Sequence, residues 1–449
     1  MKRYFAFFLS LCMALSMISC AKQKAQALNI CDKDGNVVAT LSKFDFSEKD
    51  LSDPLYHDYV RFVLDEAVDL IVKVESCEEE KAKELLFQKG YIINTYLDAE
   101  ISRAVEEVYN EYGKEKFAFD CSVETINGDI CAVFTSSNDS SELTGHSPFS
   151  TIKPLSVYAP AMENGLIDWG TMLSDTPYKQ IISEDGRVSD WPMNAGAAFT
   201  YKNTLLADCI KQSLNTTAVH CLKSLSVKKS VKFLTDSFGM DLQYEQNKLA
   251  LQGEEEIIGN IAMGYLNRGF TAVDLAGYYQ IFGRLGQYST PSTIQTISAS
   301  DGKILYKNEK ETKKIISEET ASLMNCLLKQ VVSPGGTGEK AFFDEKTELI
   351  GKTGTGNDDG GNWFVGVTPE YSCALWHGVN EERENIAAEL YSKLMEKLPE
   401  HTKKEFEMSS NIKKSVFCSE TGDLLSSTCS YMHIGYYAPS QKIGVCKGH

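Results

Sequence analysis

The sequence predicts an α+β chain, because strong hairpin and antiparallel-strand signals sit beside long helical stretches. Residues 117–135 read as a β-hairpin, since Asn127-Gly128 is a two-residue turn that accepts positive φ and matches the twist of its strands. Residues 351–378 read as consecutive antiparallel strands: Trp363-Phe364-Val365-Gly366-Val367 and Cys373-Ala374-Leu375-Trp376 flank a turn at Pro369, and turn residues 357–362 precede both. Residues 48–86, by contrast, follow a helical pattern with acidic clusters that suit a solvated face.

The remaining elements follow in order. Residues 28–41 suggest a strand pair about Asp34-Gly35, residues 91–96 a strand, and residues 98–112 a helix opened by Asp98. At 449 residues and 43% hydrophobic content the chain can bury more than one core, so two domains are expected. The divisions read as a signal at 1–19, a polar tether at 20–27, a small α+β region at 28–116, a main domain at 117–399 and a cysteine-bearing tail at 400–449. No internal repeat or low-complexity tract occurs.

Net charge is −17, and neither a basic patch nor a phosphate-cradling strand–loop motif is present, which excludes a nucleic-acid partner. The 13 cysteines form no regular, even framework. Several, such as Cys131 and Cys373, stand in apolar strands as small hydrophobes.

Three short motifs carry the chemistry: Ser150-Thr151-Ile152-Lys153, Ser213-Leu214-Asn215 and Lys352-Thr353-Gly354-Thr355. Taken singly, each is most simply structural: a helix cap with a surface lysine, a loop, a strand end. Their order and spacing make the set specific. A serine hydroxyl needs an adjacent base to become a nucleophile, and Ser150 and Lys153, three apart, share one helix face. Lys153 serves as base only if burial or nearby positive charge, such as that of Lys352, keeps it neutral. Ser213 suits proton relay toward a leaving amine, and the Asn215 amide suits a substrate peptide group. Lys352 and Thr355 suit a terminal carboxylate, while Gly354 lets the Thr353-bearing strand approach a ligand closely.

In this order the motifs match S-x-x-K, S-x-N and K-T-G, and the chain resembles the penicillin-binding proteins, serine D,D-transpeptidases of the bacterial cell wall. The middle motif has Leu214 where the strict form has aspartate. The resemblance covers roughly residues 91–449 and includes Trp363-Phe364-Val365-Gly366, Thr368-Pro369-Glu370, Thr271-Ala272-Val273-Asp274-Leu275-Ala276 and Trp191-Pro192 with Asn194. It implies a sheet with helices on both faces and a helical lobe beside it. It also implies attack by Ser150 on the penultimate D-alanine of a peptidoglycan stem peptide, and an oxyanion hole at the Ser150 and Thr355 amides. Covalent binding of β-lactams, cell-wall synthesis proteins as partners, and chemistry without metal or organic cofactor complete the expectation. A D,D-carboxypeptidase of the same fold, or a non-catalytic sensor of β-lactam or muropeptide, remain open alternatives. No Glu-x-x-Leu-Asn follows Ser213, which argues against a hydrolytic β-lactamase. The stretch before Gly90 is also too short to hold, beside a signal, the glycosyltransferase of the bifunctional relatives.

At the amino terminus, Lys2 and Arg3 precede an apolar run that ends at Ser19-Cys20-Ala21, resembling a bacterial lipoprotein signal with Cys20 as the lipidated residue. Met17 stands where that signal prefers leucine, and an uncleaved anchor is the alternative. Either reading tethers the chain outside the cytoplasmic membrane. At the other end, Cys418, Cys429, Cys446 and His449 resemble the tails of some bifunctional relatives. Three sulfurs and an imidazole would complete a zinc tetrahedron, but the paired cysteines of zinc modules are missing, which favours a disulfide or plain thiols.

Overall fold

The structure is a computed structural model that describes residues 27–114, 116–136, 145–183, 185–356, 360–381, 384–399 and 401–448. Cys20 with its signal, and His449, lie outside the described residues. The chain forms two compact units, one from the chain up to Tyr96 with Thr293–Asn308, the other from Leu97–Ser292 with Glu309–His449.

The first unit carries a five-stranded sheet in the order Ile304–Lys307, Ile294–Ser298, Ile92–Thr95, Leu28–Cys31, Val37–Leu41. Asp32 closes the Leu28–Leu41 turn by accepting from the amides of Asp34 (2.9 Å) and Asn36 (2.8 Å), an Asx turn that short acidic side chains favour. The helix His57–Glu75 buries Tyr59, Val60, Val63, Leu64, Ala67, Val68 and Ile71 along one face. It ends where Ser76 turns left-handed (φ 50°), so the helical stretch 48–86 divides into this helix and Glu79–Gln88. The Glu66 carboxylate accepts from the Thr293 amide (2.7 Å) and hydroxyl (2.6 Å), tying the late hairpin into this unit.

The second unit is built on an antiparallel sheet in the order Ile350–Thr355, Asn362–Val367, Tyr371–His377, Phe119–Thr125, Ile130–Thr135. Period-two alternation gives it two apolar faces. Trp363, Val365, Val367, Ala374 and Trp376 enter one core with the helices Ala272–Gly283 and Glu318–Val332. Cys121, Val123, Phe364, Cys373 and Leu375 enter the other with Ala99–Val108 and Ala387–Lys397. Cys131 and Cys373 are buried in that second core, as expected of small hydrophobes. The helices Leu206–Lys211, Asn215–Leu225, Val227–Phe238, Gln243–Gln252 and Glu254–Met263 form a helical lobe in this unit.

The sequence divides these regions after residue 116, whereas packing divides them after Tyr96. Asp98 caps the helix Ala99–Val108 as its spacing predicts, but Ile101, Val105 and Val108 bury against the second sheet and carry the helix with it. Residues 413–437 of the tail form the hairpin Lys413–Cys418/Met432–Tyr437, whose Phe417 reaches the main core near Trp169.

Candidate active site

Ser150 lies in a 3₁₀ turn, Phe149–Ile152, that runs on as π-helix Pro154–Tyr158 and α-helix Ala159–Glu163. Pro154 therefore does not end the turn, because a proline in the first turn of a helix sacrifices no hydrogen bond. The turn is held from several sides. Thr151 Oγ1 donates to Pro148 O (2.6 Å), Tyr279 Oη donates to Thr151 O (2.6 Å), and Trp363 Nε1 donates to Ser147 O (3.0 Å). Phe149, next to Ser150, has φ 47°, an unfavourable value for a side chain with a Cβ that persists only where surroundings enforce it. Gly264 (φ +79°) is part of that enforcement: a Cβ there would fall 2.2 Å from Phe149 O, so only glycine permits the approach.

The strand Ile350–Thr355 passes alongside. A Cβ on Gly354 would lie 2.8 Å from Pro148 O and 3.0 Å from Thr151 Cγ2, so this glycine admits the serine turn.

The second motif stands opposite. Ser213 follows the helix Leu206–Lys211 with φ 55°, and Asn215 opens the helix Asn215–Leu225. A network not legible from motif spacing fixes it. Asp175 Oδ1 accepts from Asn194 Nδ2 (2.7 Å) and Thr216 Oγ1 (2.6 Å), and Asp175 Oδ2 accepts from the Thr200 amide (2.7 Å). Asn194 Oδ1 in turn accepts from the Asn215 amide (2.8 Å). Burial opposes ionisation of Asp175, but these hydrogen bonds outweigh it and hold its carboxyl below the usual range. Asn215 Nδ2 donates to Met193 O (2.6 Å).

Both lysines are fully buried. Lys153 Nζ donates to Ser213 O (2.7 Å) and Asn215 Oδ1 (2.6 Å), and lies 3.5 Å from Ser213 Oγ. Lys352 Nζ donates to the same Ser213 Oγ (2.7 Å) and to Thr353 O (3.0 Å). One hydroxyl thus stands between two lysine amines. Burial first, and the Lys352 charge second, push Lys153 well below its ordinary value. Burial brings Lys352 down to about 7.

A groove of about 590 Å³ opens over these groups, lined by Ser150, Ser213, Asn215, Thr353 and Thr355 among others. The two lysines act from beneath its floor. Asn385, absent from the motif reading, also lines it and donates to Thr355 Oγ1 (2.9 Å) and Gly354 O (3.2 Å). It sits past the sheet in a loop with no periodic pattern, so only the closed fold brings it to the strand.

This arrangement suits acyl transfer: a serine at a helical turn, a buried low-pKa amine, and a hydroxyl able to pass a proton between amines. The chain is 31% identical over 253 residues to penicillin-binding protein 1A of Clostridium acetobutylicum, covering 55% of this chain and 30% of the relative. It is 28% identical over 339 residues to penicillin-binding protein 1F of Bacillus subtilis, covering 72% and 44%. It therefore spans less than half the length of these relatives. Among solved structures it resembles the D,D-transpeptidase domain of a peptidoglycan glycosyltransferase from Eggerthella lenta (TM-score 0.60, 18% identity, 83% of this chain and 98% of that one). It also resembles penicillin-binding protein 1A from Haemophilus influenzae (TM-score 0.64, 14% identity, 86% and 77%). Residues 128–396, more than half the chain, match the penicillin binding protein transpeptidase domain, and the chain belongs to that family.

Proposed function

We propose that this chain is a serine D,D-transpeptidase that cross-links peptidoglycan stem peptides and is acylated by β-lactams. The observation that carries this reading is the Ser213 hydroxyl held between Lys153 and Lys352 beside the groove that contains Ser150. Ser150 Oγ attacks the carbonyl of the penultimate D-alanine, and neutral Lys153 takes the hydroxyl proton. The oxyanion is met by the Ser150 and Thr355 amides. The C–N bond then breaks, Lys153 passes the proton it took through the Ser213 hydroxyl to the departing D-alanine amine, and an ester on Ser150 remains with Lys153 neutral again. An amine of a second stem peptide attacks that ester, forming the cross-link and returning the proton to Ser150. Thr353 and Thr355 face the substrate carboxylate, and Lys352 supplies charge from below. The chemistry uses side chains and backbone amides of this chain alone.

The chain acts outside the cytoplasmic membrane, held by lipid on Cys20 and working with other cell-wall synthesis proteins. No helix among the described residues is long and apolar enough to cross a membrane. Mass spectrometry of the membrane-derived protein should find a lipidated amino terminus at Cys20; an intact Met1 terminus would show an uncleaved anchor instead.

A fluorescent penicillin tests the catalytic assignment. Label should map to Ser150, and Ser150→Ala should lose it while far-UV circular dichroism stays unchanged. Labelling that survives in the alanine variant sinks the assignment.

A further inference from the structure

The carboxy-terminal hairpin has almost no apolar core of its own. Tyr431, Met432, Ile434 and Val445 are all at least half exposed. At the turn end, the buried cluster consists of Cys418, Cys429 and Cys446, with Leu425 packed against it. A two-stranded hairpin is marginal in water, and small modules without a core rely on disulfides or metals.

The three sulfurs come from three separate segments. Cys418 ends the strand Lys413–Cys418, and its amide donates to Asp423 O (2.8 Å) across a reversal at Gly422 (φ +74°). That reversal brings Leu424 beside the last segment, where the Cys446 amide donates to Leu424 O (2.9 Å). Cys429 enters from the loop between. The result is three Sγ atoms within 4.8 Å of one another, all buried. The Gly448 amide also donates to Cys446 Sγ (3.4 Å). Among the described residues no disulfide joins these cysteines.

We propose that Cys418, Cys429 and Cys446 are three ligands of a structural zinc site that staples this hairpin. A disulfide would use two of the sulfurs and leave the third beside them, whereas a tetrahedral soft-ligand cation engages all three. Zn–S bonds of about 2.3 Å set sulfurs roughly 3.8 Å apart in a tetrahedron, so the cluster needs only a small contraction. Binding displaces the thiol protons to solvent, and the fourth position completes the tetrahedron. The site lies outside the catalytic groove and does not depend on the reaction proposed above.

The full chain, purified with a phosphine reductant and equilibrated with Zn²⁺, should retain about one zinc per chain by elemental mass spectrometry after gel filtration. Cys429→Ser and Cys446→Ser should each weaken zinc by more than about 10-fold in competition with a chromophoric chelator, while Cys77→Ser should not. Because a serine at these positions also removes hairpin packing, the wild-type protein supplies a second reading: chelator should raise hydrogen exchange across residues 413–446 and leave the central sheet protected. Three results overturn the proposal. They are negligible zinc in the reduced wild type, equal zinc in the doubly substituted Cys429→Ser/Cys446→Ser chain (an adventitious ion only), and a disulfide among the three cysteines in protein isolated from its native membranes without reductant.

Discussion

At the scale of single residues, the lysines divide by what surrounds them. Lys153 reaches the proposed chemistry as a neutral amine, which its full burial and the neighbouring Lys352 favour. Arginine keeps the length but stays protonated. Lys153→Arg should therefore slow β-lactam acylation about 100-fold or more, the usual weight of a general base, in stopped-flow labelling. A rate within a few fold of wild type would remove Lys153 from that role. Lys352 offers a pH test. Its folded value is about 7 against an ordinary 10.5, so between these the unfolded chain binds more protons than the folded one. Stability from this group is therefore fully present above 10.5, and is lost as pH falls toward 7. Urea titrations of wild type and Lys352→Met should show the difference moving in favour of wild type as pH rises from about 7 to about 10; a constant difference would contradict it.

At the scale of elements, the serine turn is positioned by neighbours whose only task is to come close. Gly264 caps the helix Glu254–Met263 in a left-handed conformation and lies against Phe149. Gly264→Ala puts a methyl group where the Phe149 carbonyl stands, and alanine tolerates that φ poorly. It should cost roughly 1–3 kcal/mol in urea unfolding and slow acylation. Ser150 remains chemically intact in this variant. Unchanged stability with an unchanged acylation rate would mean that the turn is not held from that side. The Asp175–Asn194 network does the same for the second motif, through acceptors shared among three segments.

For the whole molecule, the informative question is where it can be cut. The helix Ala99–Val108 covers one face of the second sheet, while Thr293–Asn308 completes the first. A chain beginning at Leu97, with residues 293–308 replaced by a short Gly/Ser loop, should stay soluble and unfold cooperatively. A chain beginning at Phe117 loses Ile101, Val105 and Val108 from its core and should aggregate or unfold at markedly lower denaturant. Equal midpoints for the two truncated chains would place the division where the sequence first suggested it.

Local chemistry was legible along the chain wherever neighbours in sequence are neighbours in space. Asn127-Gly128 turns its hairpin, Asp98 caps its helix, and residues 351–378 alternate between two cores because the pleat alternates. That the three motifs belong together was legible too, from their residue types and order, and the fold brings them to one groove. Contacts between distant segments were not. Asn385 on Thr355, Asp175 beneath Asn194, and Gly354 against Pro148 depend on how sheet and helices close on one another. The three tail cysteines, spaced without a recognisable repeat, meet only because the hairpin reverses at Gly422. Proximity created by packing leaves no periodic trace in sequence, because each partner answers to its own local pattern while the contact belongs to neither.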